Sequence, residues 1–184
     1  MGFDIVRLVV TSWPDAIRVV RQRGVDFYWL DRDEGGEPVA SSFALEYDGA
    51  LARNPASREL DARDWYDALR PHLGPNERRT CDAHFGSLFW AGEKDNRTAD
   101  LTTAGISCTG IWNALSPEHV QEQLELSMRV PWDALEAAFL VGASPMGAAY
   151  LPKIEDFEDH LKFHQEHLIY AAKRRAGVLS LTSY

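Results

Sequence analysis

The chain has 184 residues, enough for one domain, and its 45% hydrophobic and 26% charged residues are the balance of a globular protein that needs neither disulfide nor metal to fold. With 19 basic against 28 acidic residues the formal net charge is −9, which nucleic-acid phosphates and anionic membranes both repel, and no Lys/Arg cluster offsets it. No stretch approaches the ~20 apolar residues of a membrane span, the two cysteines (Cys81 and Cys108) are expected as reduced thiols, and the opening Phe3-Asp4-Ile5-Val6-Arg7 has no signal-peptide pattern, so the expected compartment is the cytoplasm.

In chain order, residues 3–10 are rich in β-branched side chains and predict a strand. Thr11-Ser12-Trp13-Pro14-Asp15 predicts a helix start, with Thr11 or Ser12 as cap and Pro14 early, and Gly24 is a natural stop. Residues 25–30 and 39–47 predict two further strands, paired as a hairpin around the polar turn at 31–37. Residues 51–58 read as a loop, 60–69 as a helix stopped by Pro71, and 76–85 as a second helix. No element is assigned over 86–110. Ser116-Pro117-Glu118-His119 is a capped helix start, and that helix ends before Pro131. Residues 132–141 predict a helix burying Leu135, Phe139 and Leu140, followed by a loop over 142–150. The longest helix is expected over 152–175, closed by Gly177, with a terminal strand over 178–182. These elements predict an α+β fold: a small, mostly antiparallel sheet covered by about five or six helices, with a long C-terminal helix leading into a terminal strand.

The last helix carries the most suggestive side chains. His160, His164 and His167 are four and three residues apart, so they lie on adjacent turns, and Asp156 stands one turn before His160. Imidazoles with a carboxylate are a ligand set for zinc, nickel or non-haem iron. The HExxH pattern is absent, however, because Leu161 follows His160. At about 100° per residue His164 falls in the middle of the apolar stripe of Phe157, Leu161, Leu168 and Ala171. The preferred reading is therefore packing: His164 a hydrogen-bonded core residue, with His160, His167 and Asp156 on a partly exposed flank. No metal site and no cofactor are assigned.

Other constellations fare no better. Gly105-Ile106-Ser107-Cys108-Thr109-Gly110 places Ser107 and Cys108 between glycines, but Thr109 breaks the G-x-S-x-G spacing and no helix follows at once. Cys81 and His84 share a helix face without further ligands in a metal-site spacing. Six tryptophans, Trp112 among them, mostly occupy apolar positions, and only one or two are expected to face a cleft. Walker A, G-x-G-x-x-G and S-x-x-K motifs are absent.

Gly110-Ile111-Trp112-Asn113-Ala114-Leu115-Ser116-Pro117-Glu118-His119-Val120, followed by a second short helix, a loop reaching Tyr150, the long helix, a glycine and a short apolar strand, is similar to the C-terminal half of the YfbM-like bacterial proteins. That resemblance implies an α+β bacterial domain without an assigned activity, and it brings no catalytic residue. The excess of arginine over lysine is associated with GC-rich bacterial genomes.

The favoured expectation is a non-catalytic binding or regulatory protein acting through a cleft or an acidic face, its partner an unknown protein or small molecule. The alternative is a metal-dependent hydrolase using the histidines of the C-terminal helix. Candidate binding residues are Asp156, His160, His167, His84, Cys108 and Trp112.

Overall fold

The computed structural model describes residues 4–25, 44–46, 53–142, 145 and 148–183. Strand β1 (Asp4–Val10) is followed by α1 (Trp13–Arg23), β2 (Ala44–Glu46), β3 (Arg53–Pro55), α2 (Ala56–Leu69) and α3 (Pro75–Phe89). Then come α4 (Ala99–Thr103), β4 (Ile111–Leu115), α5 (Pro117–Ser127), α6 (Trp132–Leu140), α7 (Ile154–Lys173) and β5 (Gly177–Ser183). The expected α+β fold is observed. Among the described residues the helices number seven, the additional one being the short α4 within the unassigned segment. None is long and apolar enough to cross a membrane. The expected strand over 25–30 and the turn over 31–37 lie outside the described residues, apart from Val25; of the strand over 39–47 only β2 is described.

All strand pairs are antiparallel, in the order β2-β1-β5-β4. β1 pairs along its whole length with β5, from Asp4↔Ser183 to Val10↔Gly177. Its other edge is shared by β2 opposite Leu8–Val10 and β3 opposite Asp4–Val6. The expected loop at 51–58 is thus corrected: it supplies an edge strand, and the next helix starts at Ala56 rather than Leu60. β4 was not foreseen, because all five of its residues are buried and it shows no alternation of polar and apolar side chains.

Strand alternation gives the sheet two different faces. Val6, Leu8 and Val10 pack with Ala16, Val19 and Val20 of α1 and Leu101 of α4. On the opposite face Val9 meets Leu115, Val120, Leu168 and Ala171, while Ile5 meets Ala56 and Trp112. Beyond that face the helical layer has its own core, built on Trp65, Tyr66, Phe85, Phe89, Leu135 and Phe157. Leu140, expected inside, is 81% exposed, and Ala138 takes its place on the buried side of α6.

Two sets of bonds fix the helices around α2. Asp61 accepts the backbone N–H groups of Tyr150 and Leu151, and Trp65 Nε1 donates to the Leu151 carbonyl at 2.7 Å. The chain just before α7 is thereby pinned to α2. At the other end of α7, Gly177 lies against the Trp13 ring and the Leu115 carbonyl: an alanine Cβ there would come within 2.5 Å of Trp13 Cε3 and 2.8 Å of Leu115 O. Gly177→Ala is therefore expected to destabilise the fold by about 1–3 kcal/mol through overpacking, measured as a lower urea midpoint at unchanged slope.

Candidate functional site

Arg7 interrupts the apolar run of β1, and alternation turns it with Ile5 and Val9 towards the helical layer. α2 presents a buried stripe of Ala56, Glu59, Ala62, Trp65, Tyr66 and Leu69, and Glu59 is the charged member of it. Across from both, α7 presents His160, His164 and His167. All five side chains are buried: Glu59 is 0% exposed, Arg7, His160 and His167 are each 2%, and His164 is 6%.

Arg7 Nη2 donates to Glu59 Oε1. The other carboxylate oxygen faces two imidazoles: His164 Nε2 is hydrogen-bonded to Glu59 Oε2 at 3.1 Å, and His160 Nε2 lies 3.3 Å from that same oxygen without the alignment of a hydrogen bond. The two imidazole rings meet edge to face at 4.9 Å, and Phe89 packs against both. Phe163 sits 5.3 Å from the Arg7 guanidinium, a cation–π contact. Burial alone pushes the Glu59 carboxyl up, but Arg7 and the two imidazoles outweigh it and hold it well below the usual carboxylate range. Burial pushes His164 down to about 4, with Glu59 opposing and Arg7 reinforcing. Burial, then Arg7 and His164, also push His167 well below its usual value. At neutral pH the ion pair is therefore Arg7–Glu59, beside neutral His164 and His167.

Several expectations about this region are corrected. His160 and His167 are not a partly exposed flank, because α7 is covered on a wide face by α2, α3, α5 and the sheet. Asp156 does not join them: its Oδ2 accepts the Lys153 N–H as the helix cap. His164 is the hydrogen-bonded core residue expected. Glu59 and Arg7 were both missed. Their signal was present, as a charge inside an apolar strand and a carboxylate on the apolar stripe of a helix, but starting α2 at Leu60 hid the second.

The remaining candidates are scattered. His84 is buried on α3, its Nδ1 3.1 Å from Gln123 Oε1, and burial pushes it down to about 4. Cys108 is half-buried on the loop before β4, 3.7 Å from Thr102 Oγ1. Trp112 is buried, donates to the Leu88 carbonyl, has the Arg97 guanidinium 4.5 Å from its ring, and borders a small cavity rather than an open cleft. Cys81 is a free thiol that burial pushes up to about 12, which keeps it protonated and inert.

An open cleft of about 670 Å³ lies between α3, α4, β4 and α5. α3 and the loop after it bring Arg79 and Lys94; α4 and α5 bring Asp100, His119 and Glu122. Ser116, His119 and Asp100 form a set with the residue types of a hydrolytic triad. Their geometry is wrong for one, since Ser116 Oγ at 3.5 Å and Asp100 Oδ1 at 2.5 Å both address Nδ1 of the imidazole. A base relaying a proton needs the nucleophile on one ring nitrogen and the acid on the other. Ser116 is the cap of α5, accepting the His119 N–H. No family model, no curated protein and no solved structure matches this chain.

Removing one member of the buried ion pair strands the other. Glu59→Ala is expected to cost about 3–5 kcal/mol, and Arg7→Met with Glu59→Met to cost less than Glu59→Ala alone, as read by urea unfolding. The buried histidines set an acid limit as well. His84 binds its proton near pH 4 when folded and near its ordinary value when unfolded, so between the two the unfolded chain holds more protons and stability falls as pH is lowered. His84→Gln should flatten that decline by about one proton, measured as unfolding free energy against pH from 7 to 4.

Proposed function

We propose that the chain is a non-catalytic binding protein whose open cleft takes a small polar ligand carrying groups of both charges. The observation that carries this reading is the cleft itself. Its volume of about 670 Å³ falls within the roughly 300–1,000 Å³ of small-molecule sites. The α3 side brings Arg70, Arg78, Arg79 and Lys94 against Asp82 and Glu93, a net positive set, and α4 and α5 bring acidic Asp100 and Glu122, a division that suits a zwitterion better than a simple anion.

The absence of a working catalytic set around the cleft, among the described residues, supports the non-catalytic part. Asp82 is held by both Arg70 nitrogens at 2.7 and 2.9 Å and by Tyr66 at 2.7 Å, which leaves it a structural carboxylate. Ser87 accepts from Gln123 at 3.0 Å and has no base behind it. The Ser116–His119–Asp100 set has the wrong arrangement for transfer. The likeness of the C-terminal half to the YfbM-like proteins is proposed on the same footing and adds no catalytic residue.

The metal-dependent hydrolase reading is favoured by one observation, the convergence of His160 and His164 on Glu59. Against catalysis there, the three side chains are at most 8% exposed, and a substrate bond cannot reach them in this conformation.

The cleft reading is tested by thermal melting against a panel of amino acids, small amines and small carboxylates. A ligand at ~100 times its Kd adds about 2.7 kcal/mol, and its shift should vanish in Arg79→Ala and in Glu122→Ala. Turnover of any small molecule, abolished by either substitution, would replace the binding reading with an enzymatic one.

A further inference from the structure

We infer that Glu59, His160 and His164 form a binding site for one divalent first-row transition-metal cation, with Zn²⁺ the best fit. The inference is independent of the cleft, and its ligand set differs from the one the α7 sequence suggests: Asp156 caps the helix, while Glu59 arrives from α2.

The donor atoms are already gathered. Among the described residues these three offer ligand atoms that all lie within 4.8 Å of one another. Two of the three separations match the edges of a coordination shell: tetrahedral sites with metal–ligand bonds of ~2.0–2.1 Å have edges of about 3.3 Å, against 3.1 Å from Glu59 Oε2 to His164 Nε2 and 3.3 Å to His160 Nε2, and the imidazole donors lie within 4.8 Å of each other. A second observation concerns His160. Its Nε2 is buried 3.3 Å from Glu59 Oε2, and this ionic contact lacks the alignment of a good hydrogen bond, so among the described residues the nitrogen's only neighbour of opposite charge is the carboxylate it would share an ion with. A buried polar atom without a well-aligned partner is costly and rarely kept without a use.

The surroundings suit ligation. Two imidazoles and one carboxylate select zinc, iron, cobalt or nickel over magnesium or calcium, which prefer all-oxygen sets. The imidazoles come from positions four apart on one helix, the spacing that aims two rings at one point. Arg7 Nη2 holds Oε1 and so orients Oε2 towards the rings, as outer partners of metal carboxylates do, and it also lies 3.5 Å from His164 Nε2, a contact the imidazole must give up to ligate an ion. A small cavity of about 10 Å³ lies beside the cluster, bordered by Arg7, His164 and His167 but not by Glu59 or His160.

The test uses the full chain, purified without chelator for metal analysis, then stripped and titrated with Zn²⁺ and Co²⁺. Expected are one equivalent of metal, a higher melting temperature with Zn²⁺, and the visible absorption of four-coordinate cobalt. Glu59→Gln, His160→Gln and His164→Gln should each weaken Zn²⁺ binding at least tenfold, while His72→Ala on the exposed surface leaves it unchanged. Folded wild-type protein that takes up neither metal overturns the site, as does binding that survives both Glu59→Gln and His160→Gln. Should the variants fail to fold, X-ray absorption of the cobalt-loaded wild type decides: two imidazoles in the shell support the site, and one or none overturns it.

Discussion

The salt bridge between Arg7 and Glu59 is the constraint around which the helical layer is arranged. Neither charge reaches solvent, and each would be expelled from the interior without the other. Because the pair joins the central strand to α2, it sets how α2 lies across the sheet. A shift of either partner by one position would turn a charge onto an apolar face. Such pairs contribute little net stability against a hydrophobic replacement. What this one supplies is geometry: a carboxylate held by one oxygen, with the other directed at α7.

Polar groups extend from that point across the sheet. In the β1–β5–β4 register Arg7 stands opposite Ser180, and Ser180 opposite Asn113, so three buried polar residues form a row under the helices. Asn113 donates to the Ser87 carbonyl, and the Ser87 hydroxyl accepts from Gln123, which lines the open cleft and also meets His84. A line of buried polar residues thus runs from the cleft floor to the cavity beside His164, hydrogen-bonded from Gln123 through Ser87 to Asn113 and continued by Ser180 and Arg7 as register neighbours. Interior networks of this kind specify one packing arrangement, since any other leaves members unpaired.

The parts of the fold legible in the sequence were those encoded locally. Pro14 and Gly24 bound α1, and Ser116 and Pro117 open α5, through backbone chemistry that acts within a few residues, whereas Gly177, expected to close α7, is the first residue of β5 and Arg175 takes the left-handed position after the helix. β4 and α4 were not legible. The first is buried on both faces and carries no periodic pattern, and the second is a single short turn held by long-range contacts. Leu140 misled because apolar residues on surface helices are often exposed: it stands 81% exposed while Ala138 is buried.

The same division holds for the site. Sequence alone determined that His160, His164 and His167 share one side of a helix, because the helical repeat is a local property of the chain. It also determined that His164 points inward, from the apolar residues around it. Only the tertiary structure decided that His160 and His167 are buried too, and that Glu59, 105 residues before His164, supplies the carboxylate. That partnership depends on how α2 and α7 cross over the sheet, a consequence of packing and of the Arg7 charge beneath them. No spacing along the chain encodes it.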